Sequence, residues 1–177
     1  MIAMVFGMSN ALFPAVAREF GGPAVLGVLY AAPSGGALIA SLTSGWTGKV
    51  RRHGLATYLA VVGWGISLIL FGLAPSLWFA VLTLALAGGA DMISAIFRHT
   101  ILQTAAPPHL VGRLSGLELT VVASGPAVGD LEAGALAALT NIRFSIVAGG
   151  FACLIGVAIM AVALPEFARY DAQDPTP

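Results

Sequence analysis

Apolar runs close to the length that crosses a bilayer, about 20 residues each, follow one another along the chain with only short polar breaks between them. Such runs bury themselves in lipid or stay insoluble. Of the 177 residues 58% are apolar and 9% charged, against roughly 25% charged in soluble domains. Water would meet too much apolar surface for a soluble enzyme, and too little charge for a nucleic-acid binder or a disordered segment. Eight basic and eight acidic side chains cancel, so net charge offers nucleic acid no attraction. At about 20 residues per span, six spans take roughly 120 residues, and every connection must be short. The fold class expected is all-α, a polytopic membrane helix bundle of six spans.

The runs are 1–17, 23–46, 55–73, 77–104, 110–139 and 144–164, leaving a polar tail over 165–177. The first is short for a span and reads as a helix whose beginning is missing. Its Ala15-Val16-Ala17 resembles a signal-peptide cleavage site, but no Lys or Arg precedes it as a signal's n-region requires. Breaks fall at Arg18 to Gly22, at the basic segment Lys49 to Gly54, at Ala74-Pro75-Ser76, at Ala106-Pro107-Pro108-His109 and at Thr140 to Arg143. Prolines and glycines at these points end helices. Cys153 lies within the last run, which excludes a disulfide framework and a cysteine metal cluster; it reads as a small lipid- or core-facing residue.

Cytoplasmic loops are rich in Lys and Arg. Numbering the runs alternately puts Lys49, Arg51, Arg52, Arg113 and Arg169 on one side, with Arg98 near it, and Arg18 and Arg143 on the other. This expects a cytoplasmic C-terminus and a multi-pass protein of the plasma membrane. Trp46 and Trp78 fit interfacial anchors, and Trp64 fits internal packing.

The segment Ser44-Gly45-Trp46-Thr47-Gly48-Lys49-Val50-Arg51-Arg52 is similar to the cytoplasmic loop signature of the major facilitator superfamily: a glycine, a spacer, a basic residue and a basic pair. Gly48 stands where an acid often precedes the first basic residue. Pro108-His109-Leu110-Val111-Gly112-Arg113-Leu114-Ser115-Gly116 resembles the loop before that fold's eleventh helix, with His109 and Val111 in place of the usual acidic and extra basic residues. Leu29 to Pro33, Ala90 to Ser94 and Gly129 to Gly134 resemble the branch that contains the enterobactin exporter. The resemblance implies one half of a major facilitator fold, helices seven to twelve, over 1–164. It also implies a secondary exporter, expected to be proton-coupled, whose small-molecule cargo lies between this half and a missing N-terminal six-helix half.

Charged residues inside spans are costly and mark function. Asp91 lies near mid-bilayer in the fourth run, and Arg98 follows seven residues later on roughly the same face. Glu118, at Arg98's depth on the fifth run, is its expected partner. Glu118 and Glu132 lie roughly in line, whereas Asp130 points about 160° from Glu132; one of Asp130 and Glu132 is expected to face the cavity and the other a neighbouring helix. Asp91, Arg98, Glu118, Asp130 and Glu132 are the candidates for proton coupling or cavity lining. Gly45, Gly48, Lys49, Arg51, Arg52, Gly112 and Arg113 form the cytoplasmic loop motifs, and Lys49, Arg51 and Arg52 suit anionic headgroups, a latch or a topology signal.

Gly112-x-x-x-Gly116 and Gly125-x-x-x-Gly129 are expected to serve as packing ridges, with Pro126 bending the helix. His53, His99 and His109 have no metal-ligand spacing and read as interfacial polar residues. No metal or cofactor is expected. A membrane enzyme is disfavoured because Gly-x-Ser-Gly is missing, and without a Gly-rich phosphate loop an ATP-driven pump would need another chain. The alternative is a half-size protein that dimerises or serves as a non-transporting subunit.

Overall fold

The computed structural model describes residues 10–165 and 167, with nothing stated for the side chain of Pro108. These residues form six α-helices: α1 (Phe13–Phe20), α2 (Pro23–Leu42), α3 (His53–Gly72), α4 (Leu77–Ala105), α5 (Pro108–Leu139) and α6 (Ile142–Ala163). A 3₁₀ turn, Asn10–Leu12, leads into α1, and another, Ser44–Lys49, joins α2 to α3. The first nine residues of the expected first run, Arg169 and most of the expected tail lie outside the described residues.

The connections have local causes. Gly21 and Gly22 take φ of 137° and 91°, a backbone that side chains resist, and Pro23 opens α2 at once. Arg18 and Glu19 therefore belong to α1, so the break after the first run falls at the glycine pair. Ser76 Oγ accepts from Phe79 N at 3.4 Å to start α4. Asn141 Oδ1 accepts from Phe144 N at 2.8 Å to start α6. Each occupies a free donor of a first turn. The second run is also shorter than expected: α2 stops at Leu42, and Trp46 sits in the 3₁₀ turn.

Among the described residues four helices are long and apolar enough to cross a membrane: α2, α3, α4 and α6. They are also the packed body of the molecule, an all-α membrane bundle in which α4 lies against α2 and α3, and α3 lies against α6. Glycine sets the first of these approaches. A Cβ on Gly36 would overlap the backbone of Ala85, and one on Gly88 would overlap the backbone of Pro33, so α2 and α4 meet backbone to backbone. In the α3–α6 pair a Cβ at Gly150 would lie 2.9 Å from the Gly65 carbonyl oxygen. Trp64, Leu68, Cys153 and Val157 pack beside that crossing, so Trp64 and Cys153 are core residues. Phe13, Leu29, Phe71, Leu84 and Ile146 fill the other core cluster. Large apolar side chains such as Leu38, Leu42, Trp78, Leu82 and Val162 face outward, as lipid-facing residues do in a medium as apolar as themselves.

Helix α5 is different. Its 32 residues would span about 48 Å at 1.5 Å per residue, yet it carries Arg113, Glu118, Asp130 and Glu132 and does not join the four apolar spans. It touches α6 and the Asn10–Leu12 turn and only brushes α4. Gly125, Gly129 and Ala133 are its buried residues, one stripe at four-residue spacing, and Ser145 Oγ of α6 donates to the Ala133 carbonyl at 2.7 Å. The expected Gly112–Gly116 ridge is corrected: both glycines are exposed, with nothing within 4 Å of the space a Cβ would fill. The fully buried stripe of α5 starts only at Gly125, because the earlier turns face α3 and α4 across a cavity.

Candidate functional site

At the end of the bundle that carries the basic loop, α3, α4, α5 and α6 enclose a chamber of about 410 Å³. Its walls are mostly apolar, among them the buried Val61 and Val157 and the less buried Leu102, Leu114 and Met160. Arg98 and Glu118 bring the charges. Tyr58 donates its hydroxyl proton to the Met160 carbonyl at 3.1 Å, and its ring meets Phe167 edge-on at 5.3 Å between centroids.

Arg98 and Glu118 thus share one chamber, and His99 Nδ1 lies 3.4 Å from Glu118 Oε2. Residues 98 and 99 are about 100° apart around α4, so both can approach a carboxylate on the facing helix. The Glu118 side chain is 13% exposed and that of His99 62%. Glu118 Oε2 is buried without a hydrogen bond among the described residues, so the approach of His99 has the distance of an ion pair but not the alignment of a hydrogen bond.

The other candidates are spread more widely. Asp91 is exposed on α4, one turn before the fully buried Ser94. Asp130 faces a neighbouring segment: its Oδ1 accepts the backbone N–H of Ala11 at 3.0 Å. Tyr30 of α2 donates its hydroxyl to the Asn10 carbonyl at 3.2 Å, and its ring packs 5.2 Å from that of Phe13. Two helices therefore supply polar partners to the turn that leads into α1. Glu132 is exposed, on the open side of α5. Glu118 and Glu132, in line by ideal geometry, differ in burial because only the first faces α4.

The basic loop is held from beneath by aromatic rings. Trp46 of the 3₁₀ turn and His53 at the start of α3 both meet the buried Phe97 edge-on, at 6.1 and 5.1 Å. His53 is 6% exposed, so its expected interfacial placement is corrected: it is packed, because the turn folds over Phe97 and covers it. Gly45, Gly48, Lys49, Arg51 and Arg52 remain exposed above, as do Gly112 and Arg113 at the start of α5.

Sequence reasoning missed one cluster. Arg143 lies against Glu19, Nη2 to Oε2 at 3.0 Å and Nε to Oε2 at 3.2 Å. It also donates to the Ala74 carbonyl at 3.1 Å and places its guanidinium 6.0 Å from the Phe20 ring centre. Arg143 and Glu19 are 124 residues apart, and an acid in one break and a base in another were their sole signal.

The transmembrane secretion effector family matches residues 1–176. The chain belongs to this family of major facilitator exporters. Among its relatives, the enterobactin exporter EntS of Escherichia coli O81 (strain ED1a) is 36% identical over 160 residues, which cover 90% of this chain and 38% of the relative. EntS of Shigella flexneri is 36% identical over the same length, covering 39% of that relative. The chain therefore spans under two-fifths of the length of these secretion proteins, which are named as exporters and not as enzymes. No solved structure matches it. Membership places the exposed glycines and basic residues of 45–52 in a family of membrane transporters, and it makes the apolar outer faces of α2, α3, α4 and α6 faces toward lipid.

Proposed function

We propose that the chain works as the second six-helix half of a proton-coupled exporter in the plasma membrane, with its C-terminus in the cytoplasm. In this reading all six helices are spans, and the small-molecule cargo passes between this half and an N-terminal six-helix half by alternating access. The observation that carries the proposal is the open side of α5. Thr120 and Ser124 are exposed there beside Leu117 and Leu131, with Glu132 exposed at its edge, on a helix of a membrane transporter family that is not counted with the apolar spans. A charged side chain at the centre of a bilayer costs about 2.5–3.5 kcal/mol on insertion scales. The exposed Glu132 is therefore suited to a watery path or a second protein body rather than to lipid.

Asp91, Asp130 and Glu132 are the carboxylates proposed for proton coupling, and Arg98 and Glu118 the charges proposed for the cargo route. The basic side chains of the 49–52 loop, all exposed, support the cytoplasmic assignment of that end. Gradient-driven efflux, measured in everted vesicles with the complete transporter, tests the reading. Asp91→Asn and Asp130→Asn are each expected to reduce proton-driven export at least ten-fold. Full export by both variants would remove the coupling assignment. Asn at 130 keeps an oxygen able to accept from Ala11 N, so its loss of export would report the missing proton site and not a lost hydrogen bond.

A further inference from the structure

We propose that His99 and Glu118 form a clasp that acid closes: protonation of the His99 imidazole ties the first half of α5 to α4 across the chamber, and loss of that proton frees it to swing about Pro126. The first half of α5 is built for such movement. Between His109 and Ser124 no residue is fully buried, and Cβ atoms on Gly112 or Gly116 would meet nothing within 4 Å. Beyond it, Gly125, Gly129 and Ala133 are buried and Ser145 Oγ holds the Ala133 carbonyl, so the second half stays with α6. Pro126 sits inside the helix between the two parts and has no N–H for the Val122 carbonyl. Thr120 Oγ1 donates to the Gly116 carbonyl at 2.9 Å and Ser124 Oγ to the Thr120 carbonyl at 2.7 Å, bonds of a kind that bend helices. At the other end Pro107 and Pro108 form the joint with α4 and give it no backbone donor.

His99 and Glu118 bridge the two helices. Nδ1 lies 3.4 Å from Oε2, and Oε2 is buried without a hydrogen bond among the described residues, a costly state until a donor turns toward it. The His99 side chain is 62% exposed and lies about 9 Å from the end of α4 at 1.5 Å per residue, so a proton reaches it from water. An imidazole exchanges its proton between about pH 5 and 8. Neutral, it has one N–H and one lone pair, and a lone pair turned to a carboxylate repels it. As imidazolium it has an N–H on both nitrogens and a charge that roughly doubles the strength of the bond. Arg98 lines the same chamber, has interactions of its own and is within electrostatic reach of Asp91. A guanidinium is charged throughout this range, so the part of the tie that changes with pH belongs to His99. From α3, Tyr58 donates to the Met160 carbonyl. The lining residues of α6 and just past it, Val157, Met160, Leu164 and Phe167, do not titrate. His53 packs on Phe97, and His109 is exposed at the start of α5. The clasp requires neither export nor the coupling carboxylates.

Distances between spin labels test the clasp in membranes holding the complete transporter, made free of other cysteines by Cys153→Ala and equivalent changes elsewhere. One label sits on Leu59→Cys, an exposed site on α3 in the packed body. The second sits on Ser115→Cys in the first half of α5 or, as reference, on Val128→Cys beyond Pro126, both exposed. Ser115 is about 16 Å from Pro126 along the helix, so a swing of about 20° moves it by about 5 Å. Raising the pH from about 5.5 to about 8, either side of the imidazole's exchange, should lengthen the 59–115 distance by about 5 Å and leave the 59–128 distance unchanged. His99→Phe should hold the long distance at both pH values, and His99→Lys, which keeps a charge throughout, the short one. Glu118→Leu should also hold the long distance at both. Asp91→Asn and His109→Gln should keep the pH response. Because His99 is mostly exposed, its variants keep the fold, and the test stands even where Glu118→Leu does not. An unsubstituted 59–115 distance that does not change with pH, or a change that survives His99→Phe, overturns the clasp. Export plays no part in the readout, so the clasp and the exporter reading fail separately.

Discussion

Helices α4 and α5 leave the same hairpin-like break at Pro107 and have opposite fates. α4 is pressed into its neighbours at Gly88, where no side chain fits against Pro33. α5 holds on through a stripe of small residues beginning at Gly125 and through two hydrogen bonds, Ala11 N to Asp130 and Ser145 Oγ to the Ala133 carbonyl. The first carries two charges, Asp91 and Arg98, and still counts among the apolar spans, whereas the second carries four and does not. The difference teaches that the bundle has a rigid body, α2, α3, α4 and α6, and one polar helix laid on its side. On the proposed reading as a transporter half, the rigid body suits a unit that rocks as a whole, and the polar helix suits the wall it presents to the path.

Several substitutions set the two regions against each other. The largest effect is expected in the rigid body. Gly88→Val or Gly36→Val puts side-chain atoms onto facing backbone, and overpacking of this kind costs about 3 kcal/mol or more; loss of monodisperse protein in detergent checks it. A smaller loss is expected where α5 is attached. Asp130→Ala leaves the Ala11 N–H without its carboxylate, worth about 1–2 kcal/mol, and an unfolding titration should show Asp130→Asn recovering most of it. Third comes Arg143→Ala, which removes the contact to Glu19 and the hydrogen bond to Ala74. Both charged side chains are close to half exposed, so about 0.5–1 kcal/mol is expected in the same titration. The smallest change is Gly112→Ala, in open space on α5, which should be neutral or stabilise by up to about 1 kcal/mol through helix propensity. A destabilising Gly112→Ala, or a harmless Gly88→Val, would break the contrast between the two helices.

Helix positions were legible in the sequence because apolar runs and breakers are local signals. The run 77–104 became Leu77–Ala105, and 110–139 became Pro108–Leu139, with Pro107 and Pro108 at the joint. Ends set by packing were harder to read: Trp46 belongs to the turn over Phe97, and His53 is buried by that same turn. Among the site residues, the shared location of Arg98 and Glu118 followed from equal depth on adjacent helices. Which face each helix turns inward did not follow, because Gly112–Gly116 and Gly125–Gly129 have the same spacing and only the second pair is buried. The Asp130–Ala11 and Arg143–Glu19 contacts join residues 119 and 124 apart, and no periodicity encodes such distant pairs.

Solvent access along α5 tests the central claim, that its open side faces a transport path and not lipid. The chain's single cysteine, Cys153, is buried, so Cys153→Ala provides a background for new cysteines at Thr120 and Ser124 on α5 and at Leu82 and Leu86 on α4, all exposed positions. In membranes holding the complete transporter, a water-soluble maleimide should label Cys at 120 and 124 at least ten-fold faster than at 82 and 86. Equal and slow labelling of all four, matched by rapid reaction with a lipid-soluble maleimide, would place the open side of α5 in the bilayer and contradict the claim.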